Sequence, residues 1–379
     1  MNKFTDLNLD PSIQRTLESL GFTEPTEIQA KSIPLLLEKN KVDFLGQAQT
    51  GTGKTLAFGI PLLHRIDKTK NTTQALVVAP TRELAVQICE SITPLAKSLG
   101  ITIEAVYGGV SMDDQMRKLR RGTQIVVGTP GRLNDHLNRR TLNLSTLTTL
   151  VLDEADIMLD MGFKEEITEI LTYAPKEREI WLFSATIKGG ISDLMKSHMT
   201  DTVSVRVSKT QVGTQAVKHY YSMLPSRSRL NALCRFIDSA PEFYGIIFCP
   251  TKIMTSEIAE KLSKHGYQVG ALHGDMSQSM RNVMIKKFKD KQLSIVVATD
   301  VAARGIDVAN LTHVINFSLP EDQESYVHRV GRTGRAGKDG IAITFIGRND
   351  LRNIQMLERK FGIMIKEIDV PSKDTIMKA

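Results

Sequence analysis

Short apolar runs alternate with longer amphipathic stretches along the whole chain, and this alternation limits the possible folds more than any other feature of the sequence. Strand-length runs rich in β-branched residues, each followed by a helix-length amphipathic stretch, are typical of a parallel sheet wrapped by helices. We therefore predict an α/β fold. The candidate strands lie at 75–79, 101–106, 125–127, 149–152, 180–183, 246–248, 268–272, 295–298, 313–317 and 341–345.

The two halves of the chain resemble each other at one fixed offset. The run LVVAPTR contains Pro80 and has a counterpart, IIFCPTK, that contains Pro250. The run IVVGT ends at Thr129, and its counterpart IVVAT ends at Thr299. Both pairs are 170 positions apart, since 250 − 80 and 299 − 129 give the same difference. Two matches in one register favour a duplicated α/β unit, whereas a fixed-period solenoid is not indicated.

The length of 379 residues exceeds that of one ordinary domain. The polar segment SKTQVGTQAV between the halves has no clear hydrophobic period, so we predict it to be a flexible linker. The predicted domains are an N-terminal domain at 1–207, the linker at 208–217, a C-terminal domain at 218–368 and a tail at 369–379.

The charge and the cysteines narrow the class of protein only slightly. Lys and Arg number 49 against 42 Asp and Glu, and a net charge of +7 suits a polyanionic partner without requiring one. The first ten residues lack the apolar core of a signal peptide, and no apolar run is long enough to span a membrane. The three cysteines form no CxxC pair and have no metal-ligand spacing, so we predict small buried side chains in a reduced, cytoplasmic protein.

A glycine-rich loop, AQTGTGKT at 48–55, follows a further candidate strand at 42–45. It fits the Walker A spacing with Ala48 in place of the first glycine. Gly51 and Gly53 would let backbone N–H groups turn toward phosphate, and the following helix would add its positive N-terminus. The alternative is a flexible glycine turn that carries a solvated lysine.

Two side chains at the end of this loop carry the predicted chemistry. Lys54 would reach the β- and γ-phosphates, and the Thr55 hydroxyl would be a ligand of Mg²⁺. The loop residues predicted to contact ATP are Ala48, Gln49, Thr50, Gly51, Thr52, Gly53, Lys54 and Thr55.

An acidic motif, Asp-Glu-Ala-Asp, directly follows the apolar run 150–152. Carboxylates would then lie at the carboxyl end of a buried strand, where open α/β sheets bind ligands. Asp153 can hold Mg²⁺, partly through water, while Glu154 orients or deprotonates the attacking water. The alternative is an acidic turn that only caps a helix, and a Walker A loop in the same domain disfavours it.

With these two motifs the chain resembles the DEAD-box RNA helicases, and the resemblance covers about residues 4–347. The run GFTEPTEIQ matches the Q motif of that family, with Phe4 as the upstream aromatic residue. A glutamine amide can pair with N6 and N7 of adenine. The resemblance gives that role to Gln29, places Phe22 against the base and adds Thr26 to the ATP site.

The resemblance implies two RecA-like domains, each a parallel sheet flanked by helices, that bind ATP, Mg²⁺ and RNA. In the first domain PTREL, GG and TPGR resemble RNA-facing loops, and the residues implied are Arg82, Gly109, Thr129 and Arg132. Arginines can contact phosphates, and a glycine permits close approach of the backbone. Read singly, each of these motifs is as consistent with an ordinary turn.

Further motifs match the family in order along the chain. The residues implied to couple ATP state to RNA binding are Asp156, Ser184, Thr186 and Arg304. Those implied to face RNA in the second domain are Gln278, Arg281, Thr299 and Gly305. Asp307 is implied to accept a hydrogen bond from the ribose of ATP, with a simple helix or turn cap as the alternative.

The last motif reads HRVGRTGR. If it is helical, His328, Arg332 and Arg335 lie at i, i+4 and i+7 on one face. Gly331 and Gly334 would weaken a helix, so we expect a close approach to the backbone there. The resemblance makes Arg332 and Arg335 arginine fingers and gives His328 an interdomain contact, with a solvated basic helix as the alternative.

The predicted activity is ATP-dependent RNA unwinding, in which RNA-stimulated ATP hydrolysis is coupled to domain closure and to local, non-processive strand separation or remodelling of RNA–protein complexes. RELAVQ at 82–87 and Tyr107-Gly108-Gly109 are most similar to bacterial cold-shock helicases of the CsdA type, which suggests partners in ribosome assembly or RNA degradation. We expect either a truncated chain or a minimal enzyme, because no RNA-targeting extension follows the tail.

Three other functions are alternatives to this prediction. An ATP-gated RNA clamp would hydrolyse ATP without separating strands. A DNA helicase of the same superfamily is disfavoured by the Q motif and the Asp-Glu-Ala-Asp form. A small-molecule kinase would leave the arginines of the second domain unexplained.

Overall fold

The computed structural model describes residues 3–38, 42–49, 51–187, 189–207, 217–303, 308, 311–334 and 339–377. The chain divides into two compact units, residues 1–208 and 209–379. Each unit contains a seven-stranded sheet flanked by helices, and all the strand pairs of both sheets are parallel. The predicted α/β fold with two RecA-like domains is therefore confirmed.

The first unit holds seven strands and nine α-helices among its described residues. The strands are β1 (Phe44–Gln47), β2 (Ala75–Val78), β3 (Ile103–Val106), β4 (Ile125–Gly128), β5 (Thr149–Asp153), β6 (Glu179–Ser184) and β7 (Val203–Arg206). The helices are α1 (Pro11–Ser19), α2 (Glu27–Leu37), α3 (Lys54–Arg65), α4 (Arg82–Leu99), α5 (Met112–Arg120), α6 (Pro130–Asn138), α7 (Ala155–Asp160), α8 (Lys164–Tyr173) and α9 (Gly189–His198).

The second unit has the same number of strands, with seven α-helices in its described part. The strands are β8 (Val217–Met223), β9 (Gly245–Phe248), β10 (Val269–Leu272), β11 (Ile295–Ala298), β12 (His313–Asn316), β13 (Gly340–Ile346) and β14 (Ile365–Glu367). The helices are α10 (Arg229–Asp238), α11 (Lys252–Lys264), α12 (Gln278–Lys289), α13 (Asp300–Ala303), α14 (Gln323–Val330), α15 (Leu351–Phe361) and α16 (Lys373–Met377).

Both sheets have one and the same strand order. The first is β3-β4-β2-β5-β6-β1-β7 and the second is β10-β11-β9-β12-β13-β8-β14. Counting strands from the start of each unit makes the two orders identical. The starts of β2 and β9 differ by 170 positions, as do those of β4 and β11, which is the offset seen in the sequence. The order and the offset together support a duplicated α/β unit.

The sheet of the first unit carries a hydrophobic core on each of its faces. Val77 and Val151 pack with Trp181 in one core, whereas Leu76 and Leu150, one position earlier, pack in the other. Successive side chains of a strand point to opposite faces of the sheet. Strands covered on both faces therefore appear in the sequence as continuous apolar runs, which is why the central strands were predictable.

The strands that the sequence analysis did not predict are β7, β8 and β14. β7 and β14 are the last strands at one edge of their sheets, and β8 is the strand next to β14. All three mix buried and exposed residues, so none gives a continuous apolar run. The predicted linker also ends one residue too late, because Val217 begins β8. The rest of that linker, 208–216, lies outside the described residues.

The repeated Pro-Thr dipeptide begins a helix in the same way in both units. The Thr81 hydroxyl accepts a hydrogen bond from the Leu84 amide at the start of α4, and the Thr251 hydroxyl accepts one from Met254 at the start of α11. A threonine N-cap satisfies one of the amides that a helix N-terminus leaves unpaired. The residue after each threonine, basic in both halves, is thereby fixed on the first helical turn at the carboxyl end of its strand.

The three cysteines are free thiols that differ in burial. Cys89 and Cys249 are buried, and burial raises the pKa of each thiol to about 12. Cys234 is half-buried. Among the described residues, the helices are too short or too polar to cross a bilayer.

The central strands of the second unit tolerate little extra volume at Gly245. A Cβ atom added there would lie 2.5 Å from the carbonyl oxygen of His313 on the neighbouring strand. Gly245→Ala should therefore lower the free energy of unfolding by roughly 1–3 kcal/mol, because a packed sheet cannot absorb the overlap. Urea denaturation followed by circular dichroism would measure the loss. Gly274→Ala is the matched control, since an added Cβ meets nothing within 4 Å there, and equal midpoints for the two variants would contradict the prediction.

Candidate functional site

The glycine-rich loop, the acidic motif and the Ser-Ala-Thr motif all begin at the carboxyl-end edge of the first sheet, which is formed by the carboxyl ends of its parallel strands. They follow β1, β5 and β6, which are neighbours in the order β5-β6-β1. Gln47 pairs with Ser184, Asp153 pairs with Phe183, and the Ala48 amide donates to the Ser184 carbonyl at 3.0 Å. Parallel pairing thus brings together three motifs that are far apart in the sequence, at the edge where open α/β sheets bind ligands.

The glycine-rich loop turns sharply before the helix that follows it. Gly51 and Gly53 have φ angles of 81° and 89°, in the left-handed region that favours glycine. The Thr52 hydroxyl donates to the Gln49 carbonyl at 2.7 Å and braces the turn. Helix α3 begins at Lys54, so its unpaired amides and positive dipole end face the loop. Thr50, also predicted to contact ATP, lies outside the described residues.

Lys54 is buried in a way that calls for an anion. Its side chain is part of a residue that is 6% exposed, and its ammonium makes no hydrogen bond to any described residue. A buried charge without a partner is costly unless an opposite charge compensates it. Because the ammonium lies at the N-terminus of α3, beside the glycine loop, a phosphate group would satisfy it.

Asp153 and Lys54 influence each other electrostatically. Asp153 is 2% exposed, and this burial is the main reason that its pKa rises to about 7. The positive charge of Lys54 partly opposes that rise, and the negative charge of Glu154 adds to it. The carboxyl oxygens of Asp153 and the hydroxyl of Thr55 are the hard ligands that Mg²⁺ prefers. The residues present therefore fit a magnesium-bound triphosphate.

Glu154 is held in a strained backbone conformation. Its φ and ψ angles of 50° and 49° lie in the left-handed region, which costs a residue with a side chain roughly 1–3 kcal/mol. The residue is also 5% exposed, at the point where β5 gives way to α7. Strain of this kind persists only where the surrounding structure imposes it, and it fixes the direction in which the carboxylate leaves the backbone.

The acidic motif is connected to the Ser-Ala-Thr motif through Asp156. One carboxyl oxygen of Asp156 accepts hydrogen bonds from the Thr186 amide at 2.9 Å and from its hydroxyl at 3.0 Å. The Ser184 hydroxyl donates to the Thr186 carbonyl at 2.6 Å. The sequence predicted a coupling role for these three residues, and the structure places them in one network inside the first unit.

Gln29 is attached to the glycine-rich loop. Its amide oxygen accepts from the Thr26 amide at 2.9 Å, and its amide nitrogen donates to the Gly53 carbonyl at 2.9 Å. A Cβ atom at position 53 would lie 2.4 Å from that nitrogen, so glycine is required there for close packing as well as for φ. One hydrogen and one lone pair of the amide remain for the predicted adenine contact. Phe22, the predicted partner of the base, is 44% exposed.

The three predicted RNA-facing loops of the first unit lie on the other half of the same sheet edge. They follow β2, β3 and β4, which are adjacent in the order β3-β4-β2. A Cβ atom at Gly108 would lie 3.2 Å from a guanidinium nitrogen of Arg82 and 3.8 Å from one of Arg132. Gly109 has a φ of 84°. The carboxyl-end edge therefore has two halves. The half after β5, β6 and β1 carries the glycine loop and the carboxylates, and the half after β3, β4 and β2 carries two arginines beside a glycine turn.

Gln115 holds this second half together, and the sequence analysis did not identify it. It is 5% exposed, and its amide nitrogen donates to the Tyr107 carbonyl at 2.9 Å. Its amide oxygen accepts from Arg132 at 3.0 Å and lies 3.1 Å from Nε2 of His136. A single buried amide thus links the Gly-Gly turn to the Arg132 guanidinium. Its only trace in the sequence is a glutamine on the apolar face of α5.

His136 completes the network as a neutral ring. Burial, assisted by the charge of Arg132, lowers the pKa of His136 to about 4. Because the Gln115 oxygen can only accept, Nε2 must carry the proton, which leaves Nδ1 as an acceptor. The Thr141 hydroxyl lies 2.8 Å from Nδ1 and 3.1 Å from the His136 carbonyl, and its one hydrogen is shared between these two acceptors. The donors and acceptors of the network are therefore matched at neutral pH.

Part of the second predicted site can be placed in the second unit. Arg281 donates to the Ala302 carbonyl at 3.2 Å, which links α12 to α13, and Gln278 donates to Asn282 at 2.9 Å. Thr299 lies at the carboxyl end of β11, where its hydroxyl accepts from the Ala302 amide at 3.4 Å. The other predicted residues of this motif, Arg304, Gly305 and Asp307, lie outside the described residues.

The last motif is not one continuous helix, which corrects the expectation of three residues on one helical face. Helix α14 ends at Val330, and Gly331 is its C-cap. Arg332 lies in the following turn and is 6% exposed, and Gly334 has a φ of 67°. His328, by contrast, is on the helix and half-buried, whereas Arg335 lies outside the described residues. The glycines that would weaken a helix instead end it and turn the chain.

Arg329, which the sequence analysis did not identify, makes a bidentate ion pair with Asp300. Its guanidinium donates to both carboxyl oxygens of Asp300, each at 2.6 Å, and to the Asn316 side chain at 3.1 Å. It is 4% exposed and lies 5.2 Å from the centre of the Phe248 ring. A bidentate pair with a buried guanidinium is both strong and directional. Arg329 therefore fixes the start of the Thr299 motif against α14.

Two models of known protein families match the chain. Residues 26–194 match the DEAD/DEAH box helicase family, and residues 228–337 match the helicase conserved C-terminal domain. ATP-dependent RNA helicase CshA of Listeria monocytogenes is 43% identical over 99% of this chain and 72% of its own length. DEAD-box ATP-dependent RNA helicase CshA of Geobacillus kaustophilus is 43% identical over 100% of this chain and 80% of its own length. These relatives are bacterial, and carry the name CshA rather than CsdA.

Solved structures of helicases are similar over nearly the whole chain. Dbp5 of S. cerevisiae bound to RNA and ADP BeF3 has a TM-score of 0.91 at 30% identity, over 100% of this chain and 98% of that one. A DEAD box protein from the hyperthermophile Methanococcus jannaschii is 41% identical with a TM-score of 0.57, over 97% of this chain and 99% of its own.

The Gln115 network generates a test that separates positioning from chemistry. Gln115→Leu removes the buried amide that donates to the Tyr107 carbonyl and accepts from Arg132, and this loss costs about 1–3 kcal/mol. We expect the RNA concentration for half-maximal ATP turnover to rise about tenfold, because one misplaced guanidinium costs about 1.4 kcal/mol of binding, while the maximal rate changes less than twofold. Steady-state ATPase assays over a range of RNA concentrations measure both quantities.

The conservative variant Gln115→Glu serves as the control for that assay. It keeps an acceptor for Arg132 and His136 and loses only the donor to Tyr107. It should therefore recover most of the RNA affinity. A fall in the maximal rate without a change in the RNA requirement would show that Gln115 does not position the RNA-facing loops.

Proposed function

Because the chain belongs to the DEAD-box family and is an ATP-dependent RNA helicase, we propose that RNA-stimulated ATP hydrolysis drives closure of its two units around one ATP and one RNA strand. Closure would then produce local, non-processive unwinding of duplexes or remodelling of RNA–protein complexes. The family hydrolyses ATP, so the proposal concerns how the two ligands are coupled.

One observation carries this proposal, namely that the candidate chemistry is divided between the units. Lys54 and Glu154 belong to the first unit, whereas Arg332 and Arg335 belong to the second. An arginine finger can contribute roughly 10³–10⁵ in the rate of phosphoryl transfer. An enzyme whose fingers come from a separate unit is nearly idle until the two units meet. ATP hydrolysis is thereby made conditional on a conformational change.

The proposed ATP site uses the first unit for binding and the second for completion. Gln29, with Thr26 and Phe22, selects adenine, and the loop 48–55 binds the phosphates. The buried ammonium of Lys54 supports the phosphate assignment, since it lacks a partner in the described residues. Asp307 binds the ribose.

The proposed catalytic step is attack of water on the γ-phosphate, which breaks the bond from the γ-phosphorus to the bridging oxygen and releases ADP. Thr55 and Asp153 would hold Mg²⁺, which offsets charge on the phosphate oxygens. The Glu154 carboxylate, directed by its strained backbone, orients the water and accepts its proton. Arg332 and Arg335 bind the charge that develops on the transferred group. His328, Arg304 and the Asp156 network transmit the state of this site to the RNA side.

The proposed RNA site follows the other half of each sheet edge. Arg82 and Arg132 contact phosphates on either side of the Gly108–Gly109 turn, in keeping with their positions around Gly108. In the second unit Gln278, Arg281, Thr299 and Gly305 complete the track, and Thr129 completes it in the first. Contacts to phosphate and 2′-hydroxyl groups read RNA geometry rather than sequence. Bending one strand between the units would separate it from its partner over a few base pairs.

Binding of ATP and RNA should be cooperative in this scheme. Each ligand favours the closed arrangement, so each raises the affinity for the other by the same factor. Hydrolysis removes the γ-phosphate contacts, reopens the units and releases RNA. The likeness to bacterial cold-shock helicases further suggests RNA substrates and protein partners in ribosome assembly or RNA degradation.

Glu154→Gln tests closure directly, because it should retain ATP and block its hydrolysis. We expect turnover to fall by about 10²–10⁴-fold, as for loss of a general base. With ATP and RNA both present, the variant should accumulate in the compact state. Dyes would be attached at Lys97→Cys in the first unit and at Lys264→Cys in the second, with Cys234→Ser to limit labelling of the native cysteine. Fluorescence transfer between the two dyes would measure how closely the units approach each other.

The control for this experiment is Asp160→Asn, which removes an exposed carboxylate at the end of the same helix α7 and should hydrolyse ATP normally. Wild-type turnover in Glu154→Gln would remove Glu154 from the mechanism. An unchanged transfer efficiency with both ligands bound would reject closure itself.

Arg335→Ala separates ATP binding from RNA-stimulated turnover. ATP affinity should stay within about threefold of wild type, while RNA-stimulated turnover falls about 10³-fold or more. Arg332→Ala should behave similarly, whereas Arg348→Ala, an exposed arginine outside the motif, should be neutral. Nucleotide binding by calorimetry and turnover with saturating RNA supply the two quantities. Unchanged turnover in Arg335→Ala would refute its assignment as a finger.

A further inference from the structure

A groove of about 490 Å³ lies beside the edge strand β3 of the first unit. One wall is formed by Tyr107 and the strand before it, and the other by helix α5. β3 is the first strand of the sheet and pairs only with β4. The groove is therefore open on the side away from the rest of the sheet. None of the predicted site residues of the sequence analysis lines it.

The spacing of the basic residues explains why they share one wall. Asp114, Arg117, Lys118 and Arg121 follow one another at i, i+3, i+4 and i+7, which places them on one face of a helix and its end. Arg120, between them in the sequence, is exposed but does not line the groove. Three cations therefore face the groove against one carboxylate.

These cations are available to an anionic ligand. Arg117 pairs with Asp114, and Lys118 lies 2.8 Å from a carboxyl oxygen of Glu104, in ion pairs that are largely exposed. Exposed ion pairs contribute roughly 0–1 kcal/mol, so phosphate groups can replace them at little cost. The guanidinium of Arg121 makes no hydrogen bond or ion pair with any residue in the described part of the chain.

The groove is continuous with the loop proposed to face RNA. Val110 and Ser111 line its upper end, directly after the Gly108–Gly109 turn. Gln115 also lines it while donating to Tyr107 and accepting from Arg132. Because α5 begins after β3 and returns toward the start of β4, the groove leads from the carboxyl edge of the sheet down its side.

We propose that this groove, the α5 groove, is a second RNA subsite that binds the phosphate backbone of the strand where it leaves the Gly108–Gly109 turn. The inference rests on the proposed function, since it extends the RNA track beyond the loops described above. Basic residues neutralise successive phosphates, and the Tyr107 ring offers a face on which a base can stack. A basic wall combined with an aromatic side chain and a direct connection to the RNA-facing turn favours RNA over an acidic protein segment.

If the α5 groove binds RNA, the affinity should rise a second time once the RNA is long enough to reach the groove. Oligouridylates of increasing length would be titrated, by fluorescence anisotropy with a non-hydrolysable ATP analogue, into wild type and Arg117→Gln/Lys118→Gln/Arg121→Gln. The shortest RNA that saturates ATP turnover should bind both proteins equally. Longer RNA should bind wild type more tightly, and the triple variant should lack this gain.

Salt dependence gives the expected magnitude. Each contact to single-stranded phosphate contributes about 0.7 to the slope of log affinity against log salt, so three contacts contribute about 2. Between 50 and 200 mM salt, the wild-type affinity for long RNA should therefore fall roughly 20-fold more than that of the triple variant. With short RNA the two slopes should coincide.

Arg120→Gln and Arg121→Gln form the matched pair of single variants. Both remove an exposed arginine at the end of α5, but only Arg121 lines the groove. Arg121→Gln should reduce the affinity for long RNA, and Arg120→Gln should not. Thermal unfolding would verify that each variant keeps the wild-type stability.

Several results would overturn the α5 groove as an RNA subsite. One such result is a triple variant that binds RNA of every length as tightly as wild type does. Another is a triple variant that loses the same factor of RNA affinity at every length. A third is an equal loss of long-RNA affinity in Arg120→Gln and Arg121→Gln. Tighter wild-type binding of a polyglutamate peptide than of RNA with equal charge would indicate an acidic protein ligand instead. Failure of RNA to stimulate wild-type ATP turnover would reject the proposed function, a result distinguishable from all of these.

Discussion

The parallel pairing of β1, β5 and β6 is the constraint on which the rest of the first unit depends. Parallel strands end at one edge of their sheet, so three loops that are distant in the sequence must meet there. The same edge continues into β2, β4 and β3, whose loops carry arginines and glycines. In the proposed function, one sheet therefore provides both a nucleotide half and an RNA half. The second unit repeats the same strand order.

Burial of charge at this edge prepares the site for its ligands. The buried ammonium of Lys54 makes no hydrogen bond to the part of the chain that the structure describes, the pKa of Asp153 is raised, and Glu154 occupies a strained conformation. Each of these features destabilises the ligand-free protein to some degree. A magnesium-bound triphosphate would relieve the first two, because it supplies both negative phosphate and a cation. The free-energy cost of the buried charges is therefore tolerated at a place where ligand binding can offset it.

Buried polar networks position loops at the carboxyl ends of strands in each of the two units. Gln115 fixes the Gly-Gly turn against Arg132, and Arg329 fixes Asp300 and Asn316 in the second unit. Fully satisfied networks of this kind are rigid, because each unmade bond would leave a buried polar group unpaired. Rigid loops hold guanidinium groups where phosphates can meet them. The same reasoning extends to the α5 groove, which Gln115 also lines.

The sequence alone determined the fold class, the central strands and the motifs of both units, because buried parallel strands give continuous apolar runs and phosphate loops require a particular order of glycines. It did not predict the strands β7, β8 and β14, whose patterns are mixed. The helical face considered for His328, Arg332 and Arg335 is interrupted, because α14 ends at Val330. Only the tertiary structure decided that Gln115 and Arg329 are central to their networks. Hydrogen bonds between residues distant in the chain leave no periodic signal, so their partners become visible only once the sheet has brought the loops together.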